Sequence, residues 1–238
     1  MERTLRVIMA EWFESWVPQF KPREFDPGLL EGKVRKIYAF PGCRRAGKTY
    51  TMFQLIDWFN RERGVEKNRI FYLNFEDERI PKETGTLTSL MPVIMEIAGE
   101  GELFLFLDEI LEIPQWDRWM RRVHDSYRNV HLFASGSSSK LAEKEIPAAL
   151  RGRALSFEVF PLSFREFLSF KGFAYQKGIE YTERVVGRLR RYLREYLAYG
   201  GFPEVVIEED PMRKKMIAQE YFLSLIHISE PTRLGMIS

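Results

Sequence analysis

The sequence predicts an α/β fold: three layers, α/β/α, on a mostly parallel sheet, followed by a partial helical region. Three observations carry this reading. Short β-branched and aromatic segments alternate with segments of helical periodicity between residues 33 and 163, the pattern of a parallel sheet with crossover helices. The run "LFLFL" at 103–107 is apolar throughout, as a strand covered on both faces requires. Beyond Pro161 the strand-like segments stop, and "FREFLSF" and "TERVVGRLRRYLREYLAY" read only as helices.

Composition narrows the class. The chain has 238 residues, 45% hydrophobic and 29% charged, which is globular rather than disordered. That length suffices for one substantial domain and part of a second. A formal net charge of +2 creates no strong field toward nucleic acid or a membrane surface. The single cysteine, Cys43, excludes an internal disulfide and suits a reducing interior. "MERTLRVIMAEWFESW" is broken by Glu11 and Glu14 and does not read as a signal peptide. No apolar run approaches the ~20 residues of a membrane span. The expectation is a cytoplasmic protein with no membrane partner.

Taken in order, residues 1–31 read as a helical leader and 32–160 as the α/β core. "KVRKIYAF", 33–40, is short, β-branched and aromatic, hence a strand. "PGCRRAGKTYT", 41–51, follows, and its GCRRAGKT fits G-x-x-x-x-G-K-[ST]. Glycines let the backbone curl so that successive N–H groups face phosphate oxygens, and a helix start adds its positive end. Gly42, Cys43, Arg44, Arg45, Ala46, Gly47, Lys48, Thr49 and Tyr50 are therefore the candidate nucleotide-binding residues. Lys48 would reach the β- and γ-phosphates and Thr49 would place its hydroxyl on Mg²⁺. Cys43, beside Arg44, Arg45 and Lys48 at a helix start, is expected to have a lowered thiol pKa. The helix at 49–63 shows Met52, Leu55, Ile56 and Phe59 at helical spacing.

"NRIFYLNFED", 68–77, is a strand ending in Glu76 and Asp77, which suit an edge loop better than the site. A helix over 86–98 leads to the strand at 103–110, which ends in Asp108 and Glu109. Ligands bind at the C-terminal ends of strands in such sheets. Asp108 would hold Mg²⁺ and Glu109 would polarise the attacking water, the two tasks that a phosphate loop alone leaves unfilled. In the helix over 115–127, Trp116, Trp119, Met120 and Val123 form a stripe read as core. "NVHLFASGSSS", 129–139, is a strand ending in small polar residues. Ser135 is the candidate to touch the γ-phosphate or the water, with Ser137 as the alternative. A helix over 138–149 and a fifth strand, "RALSFEVFPLS" at 153–163, complete the core.

In the helix at 182–199, Val185, Leu189, Leu193 and Leu197 recur every four residues, while Arg184, Arg188, Arg190, Arg191 and Arg194 crowd the other side. Such a face can dock on a phosphate backbone such as DNA or on an acidic partner, and is more often simply solvated.

"GCRRAGKTYT", "FYLNFEDERI", "LFLDEI", "FASGSSS", "FPLSFREFL" and "YLAYGGFPEVV" occur in this order. Together they resemble a prokaryotic, archaeal-type AAA+ P-loop ATPase family in which the ATPase domain precedes a C-terminal domain of unknown function. The resemblance runs from about Glu11 to about Phe222. It departs from the family's pattern at Cys43, where members typically carry proline. It implies a sheet of order 5-1-4-3-2, and ATP with Mg²⁺ as the ligands. It also implies Lys48 and Thr49 as Walker A, Asp108 and Glu109 as Walker B, and Ser135 or Ser137 as the sensor. Arg151 or Arg153, in "LRGRAL", falls where such proteins carry an arginine finger that completes a neighbouring subunit's site, which implies a homo-oligomer. The alternative is that both are surface turn charges.

Residues 161–222 then read as a helical region and the start of a C-terminal domain whose remainder, a candidate protein-binding half, is missing. The last stretch, "LSLIHISEPTRLGMIS" at 223–238, leaves the family pattern. Its first eleven residues resemble the translation of a common transposon-based sequencing adapter, so it is expected to be non-native. Three functions follow as expectations: an ATP-hydrolysing motor or switch, a nucleotide-gated binding module with negligible turnover, and a DNA-associated ATPase.

Overall fold

The computed structural model describes residues 1–137, 146, 148–176 and 181–229. Two compact units are present: Met1–Arg44 with Lys48–Val159, and Arg45–Gly47 with Phe160–Ser238.

The first unit is built on five strands: β1 (Ile37–Gly42), β2 (Ile70–Asn74), β3 (Leu103–Asp108), β4 (Val130–Ser137) and β5 (Ala154–Ser156). Their order is β2-β3-β4-β1-β5, the 5-1-4-3-2 order expected. Every described pairing is parallel, with Phe106 beside Phe133 and Gly42 beside Ser137. The unit's helices include α1 (Glu2–Ser15), α2 (Lys48–Arg61), α3 (Thr84–Ala98) and α4 (Trp116–Ser126).

Strict alternation along the strands decides what lies where. Leu103, Leu105 and Leu107 of β3, and Val130, Leu132 and Ala134 of β4, join the cluster formed by α1, α3 and α4. Trp119, Met120 and Val123 are buried in it, so the α4 stripe is core. The other face is aromatic. Phe106 stacks on Phe133 at 4.3 Å, and Phe59 of α2 packs against Phe104, Phe106 and Phe133. Continued two residues at a time, this face carries Asp108 on β3 and Ser135 and Ser137 on β4.

Three elements differ from the sequence reading. β5 covers only Ala154–Ser156 of the 153–163 expected. The leader is helical only over α1; Pro18, Pro22 and Pro27 follow, and the segment holds a single 3-10 turn, Pro27–Leu30. β1 begins and ends later than 33–40, since Pro41 and Gly42 still pair with β4. Arg35 does not pair as a strand residue; its guanidinium donates to the carbonyls of Tyr127 (2.8 Å) and Val130 (2.9 Å). The helix expected over 138–149 falls largely outside the described residues.

The second unit contains α5 (Phe164–Phe170), α6 (Glu183–Tyr199), α7 (Pro203–Ile207) and α8 (Pro211–Ser229). α5 opens with a capping box between Ser163 and Glu166. Its small core gathers Leu162, Phe167, Leu168, Phe173 and Val206. Beyond Ser229 the tail expected at 223–238 lies outside the described residues. No helix among the described residues is long and apolar enough to cross a membrane.

Candidate active site

The site assembles where β1, β3 and β4 end. Gly42 ends β1 against the segment that follows β5: a Cβ there would stand 2.3 Å from the Val159 carbonyl oxygen, so only glycine fits. The loop then curls through left-handed conformations at Arg45 (φ 63°) and Gly47 (φ 99°), and α2 begins at Lys48. The first N–H groups of a helix lack intrahelical partners and favour an anion.

Asp108 is fully buried. Its carboxylate accepts from three hydroxyls: Thr49 Oγ1 (2.6 Å) and Tyr72 Oη (2.8 Å) at Oδ2, and Ser135 Oγ at Oδ1. A buried carboxylate costs heavily unless so satisfied. Glu109 turns into the left-handed region (φ 53°), and its N–H donates to Ser135 Oγ at 3.0 Å. Its carboxylate accepts from the Ser137 N–H and hydroxyl, each at 2.6 Å. Lys48 Nζ lies 3.1 Å from Glu109 Oε1 and donates to Ser137 Oγ (2.8 Å) and the Cys43 carbonyl (3.2 Å). The Thr49 hydroxyl and the Asp108 carboxylate are adjacent oxygen donors. Such a pair fits Mg²⁺, a hard cation that keeps several waters of its own.

The remaining candidates are placed as follows. Arg44 is paired with Glu76 at 3.3 Å. Arg45 belongs to the second unit, where it donates to Tyr221 Oη at 2.7 Å. Ala46 is buried, and the half-exposed Tyr50 packs edge-on against Phe53. Arg153 makes a two-pronged pair with Asp125, both bonds 2.9 Å. It precedes β5, at the opposite end of the parallel sheet from Lys48, Asp108 and Glu109. Arg151, also in that turn, has φ 49°.

One expectation is corrected. Burial pushes the Cys43 thiol up, outweighing the downward pull of Lys48. Desolvation of the would-be thiolate wins over the loop's positive field.

The two serines divide their tasks. Ser135 is occupied by Asp108 and the Glu109 backbone, whereas Ser137 is the one that touches Lys48 and the Glu109 carboxylate. Sequence reasoning missed Tyr72, whose phenol is held well above its ordinary range by burial and then by Asp108. The available signal was that a buried tyrosine hydroxyl needs a partner.

Strand order, glycine loop and strand-end acids define a P-loop nucleotide-binding fold of the AAA+ kind. A family model described as an AAA domain matches residues 34–168, and the chain belongs to that family of nucleotide-binding ATPases. An uncharacterized protein of Methanocaldococcus jannaschii, MJ1544, is 40% identical over 200 residues, 84% of this chain and 42% of that protein. An uncharacterized protein of Haemophilus influenzae is 29% identical over 214 residues, 89% of this chain and 48% of that protein. The chain thus spans less than half the length of these relatives. Among solved structures, PCH-2 of C. elegans is similar in fold, with a TM-score of 0.51 at 12% identity, over 95% of this chain and 66% of that one.

Proposed function

We propose that the chain binds ATP with Mg²⁺ at the 42–49 loop, hydrolyses the β–γ phosphoanhydride, and couples nucleotide state to a partner or to a change of conformation. One observation carries the reading. The pair Lys48 and Thr49 and the pair Asp108 and Glu109, distant from each other in sequence, form one connected set of contacts at the strand ends, joined through Ser135 and Ser137.

The residues act as follows. The loop N–H groups and Lys48 hold the phosphates, Lys48 exchanging Glu109 for phosphate oxygens. Thr49 and Asp108 would hold the metal, which when bound neutralises charge on the phosphate oxygens. Glu109 orients a water at the γ-phosphorus and accepts its proton as the bond to the bridging oxygen breaks, leaving ADP and phosphate. Ser137 is better placed than Ser135 to feel the γ-phosphate, because its hydroxyl already accepts from Lys48. A finger role for Arg153 would require it to leave Asp125.

Steady-state ATP and GTP turnover tests the reading. Lys48→Ala should lose most nucleotide affinity, because the phosphates lose their positioned cation. Glu109→Gln should bind ATP but turn it over at least about a hundredfold more slowly. Wild-type affinity in Lys48→Ala, measured by calorimetry, would sink the phosphate-loop reading.

A second reading, a nucleotide-gated switch with negligible turnover, is favoured by the grip on Glu109. That carboxylate is held by two Ser137 donors and by Lys48. Ser137→Ala separates the two: faster turnover means that the grip restrains hydrolysis, whereas slower turnover means that Ser137 assists it.

A further inference from the structure

Tyr72 sits on the edge strand β2, opposite Phe106 of β3, on the sheet face that carries Asp108. Its ring lies 5.2 Å from Trp12 and 5.0 Å from Phe53, centroid to centroid. Trp12 is itself fixed, its indole N–H donating to the Ile70 carbonyl at 2.9 Å and its ring stacking on Phe53 at 6.3 Å. Three aromatic rings from α1, α2 and β2 thus converge, and the phenol donates to Asp108 Oδ2 at 2.8 Å. That oxygen also accepts from Thr49, and the Phe75 N–H donates to the Asp108 carbonyl at 2.9 Å. α1, which supplies Trp12, lies outside the segment matched by the AAA family model.

We propose that Tyr72 is a positioning residue for the magnesium carboxylate: its hydroxyl, fixed by the rings of Trp12 and Phe53, holds Asp108 Oδ2 beside Thr49 in the orientation that a Mg-nucleotide requires. The inference rests on the phosphate-loop reading and deepens it. Tyr72 touches neither nucleotide nor water in this role; it acts through Asp108. A carboxylate with one fewer donor can rotate about χ2, and the metal must then be bound by a less ordered ligand. A merely structural hydroxyl, satisfying a buried charge, would change stability and leave the magnesium dependence alone.

Tyr72→Phe removes the hydroxyl and keeps the ring in place. The measurement is calorimetric binding of ATP and of a non-hydrolysable analogue across a Mg²⁺ titration, with thermal unfolding alongside. The half-saturating Mg²⁺ concentration should rise about fivefold or more, the loss of one hydrogen bond to a charged group. Affinity at saturating Mg²⁺ should stay within about twofold of wild type. In an Asp108→Asn background, Tyr72→Phe should add less than about twofold, because the two residues act as one unit. An unchanged magnesium requirement in Tyr72→Phe overturns the proposal, as does a full additional effect in the Asp108→Asn background. Should Tyr72→Phe fail to fold, Trp12→Phe reads the same coupling from the supporting side. It should raise the requirement about twofold, and an unchanged value there overturns the proposal equally. Failure of the phosphate-loop reading looks different: the wild-type chain would bind no nucleotide at any Mg²⁺ concentration, and the proposal would fall with it.

Discussion

At Cys43 two effects oppose each other. The neighbouring Lys48 lowers the thiol pKa and burial raises it, and burial is the larger. Since only the thiolate attacks an alkylating reagent, Cys43 should label more slowly than a free cysteine at pH 8, with the rate climbing as pH rises toward the elevated pKa. Removing Lys48 takes away the opposing pull, so Lys48→Ala should slow labelling further at fixed pH. Iodoacetamide rates followed by mass spectrometry decide it, and faster labelling in the variant would show that the ammonium shields the thiol rather than activating it. Cys43 also shows why a charge count along the chain misleads. Arg44 is paired with the Glu76 carboxylate and Arg45 with that of Glu204, so the field expected from adjacent arginines is offset by local partners. Lys48, Thr49, Asp108 and Glu109 are legible in the sequence because each belongs to a short local pattern, a loop or a strand end. Tyr72 is not, because its contact depends on the register of β2 against β3, and no spacing along the chain states that register.

At the scale of elements, the sheet is legible because the crossover pattern admits few arrangements, and β3 declares its own burial through "LFLFLD". The limits of β1 are less legible. Its N-terminal charges resemble strand flanks, while Pro41 and Gly42 resemble the start of a loop, yet both pair with β4 because the curl begins only after Gly42. That late turn brings β1 against the backbone at Val159, whose N–H donates to the Pro41 carbonyl at 2.8 Å. Gly42→Ala would place a methyl carbon 2.3 Å from the Val159 oxygen. A backbone oxygen cannot yield as a side-chain tip can, so the strand extension or the loop must shift. The expected cost is about 1–3 kcal/mol of stability, the range of an overpacked core, together with weakened nucleotide binding. Urea unfolding and ATP calorimetry on this variant test both parts, and a stable variant with intact binding would mean that the 42–49 loop tolerates a displaced β1 end.

On the scale of the whole molecule, the two units differ in how well they cover their apolar side chains. In the first unit the sheet is enclosed, and its fully buried side chains include Phe40, Phe71, Phe75, Phe106 and Phe133. In the second, α6 buries none of its residues fully. Its expected stripe is half used: Val185 and Leu189 pack against the small core, whereas Leu193 is 42% and Leu197 74% exposed. α8 is joined to α6 through the Lys214–Glu195 pair and carries Met212 and Met216 at 74% and 60% exposure. Large apolar groups concentrated in this way mark either a surface that another protein covers or a tendency to self-associate. The chain should therefore bind a hydrophobic dye strongly, and light scattering should report concentration-dependent association. Leu197→Gln combined with Met216→Gln should lower the dye signal by about a third, taking out two of the six exposed large apolar side chains on these helices. ATP binding should be unchanged, since the Lys48, Thr49, Asp108 and Glu109 contacts all lie within the first unit. A dye signal unaffected by the double variant would place the accessible apolar surface elsewhere, and lost ATP binding would show that these helices help to hold the nucleotide.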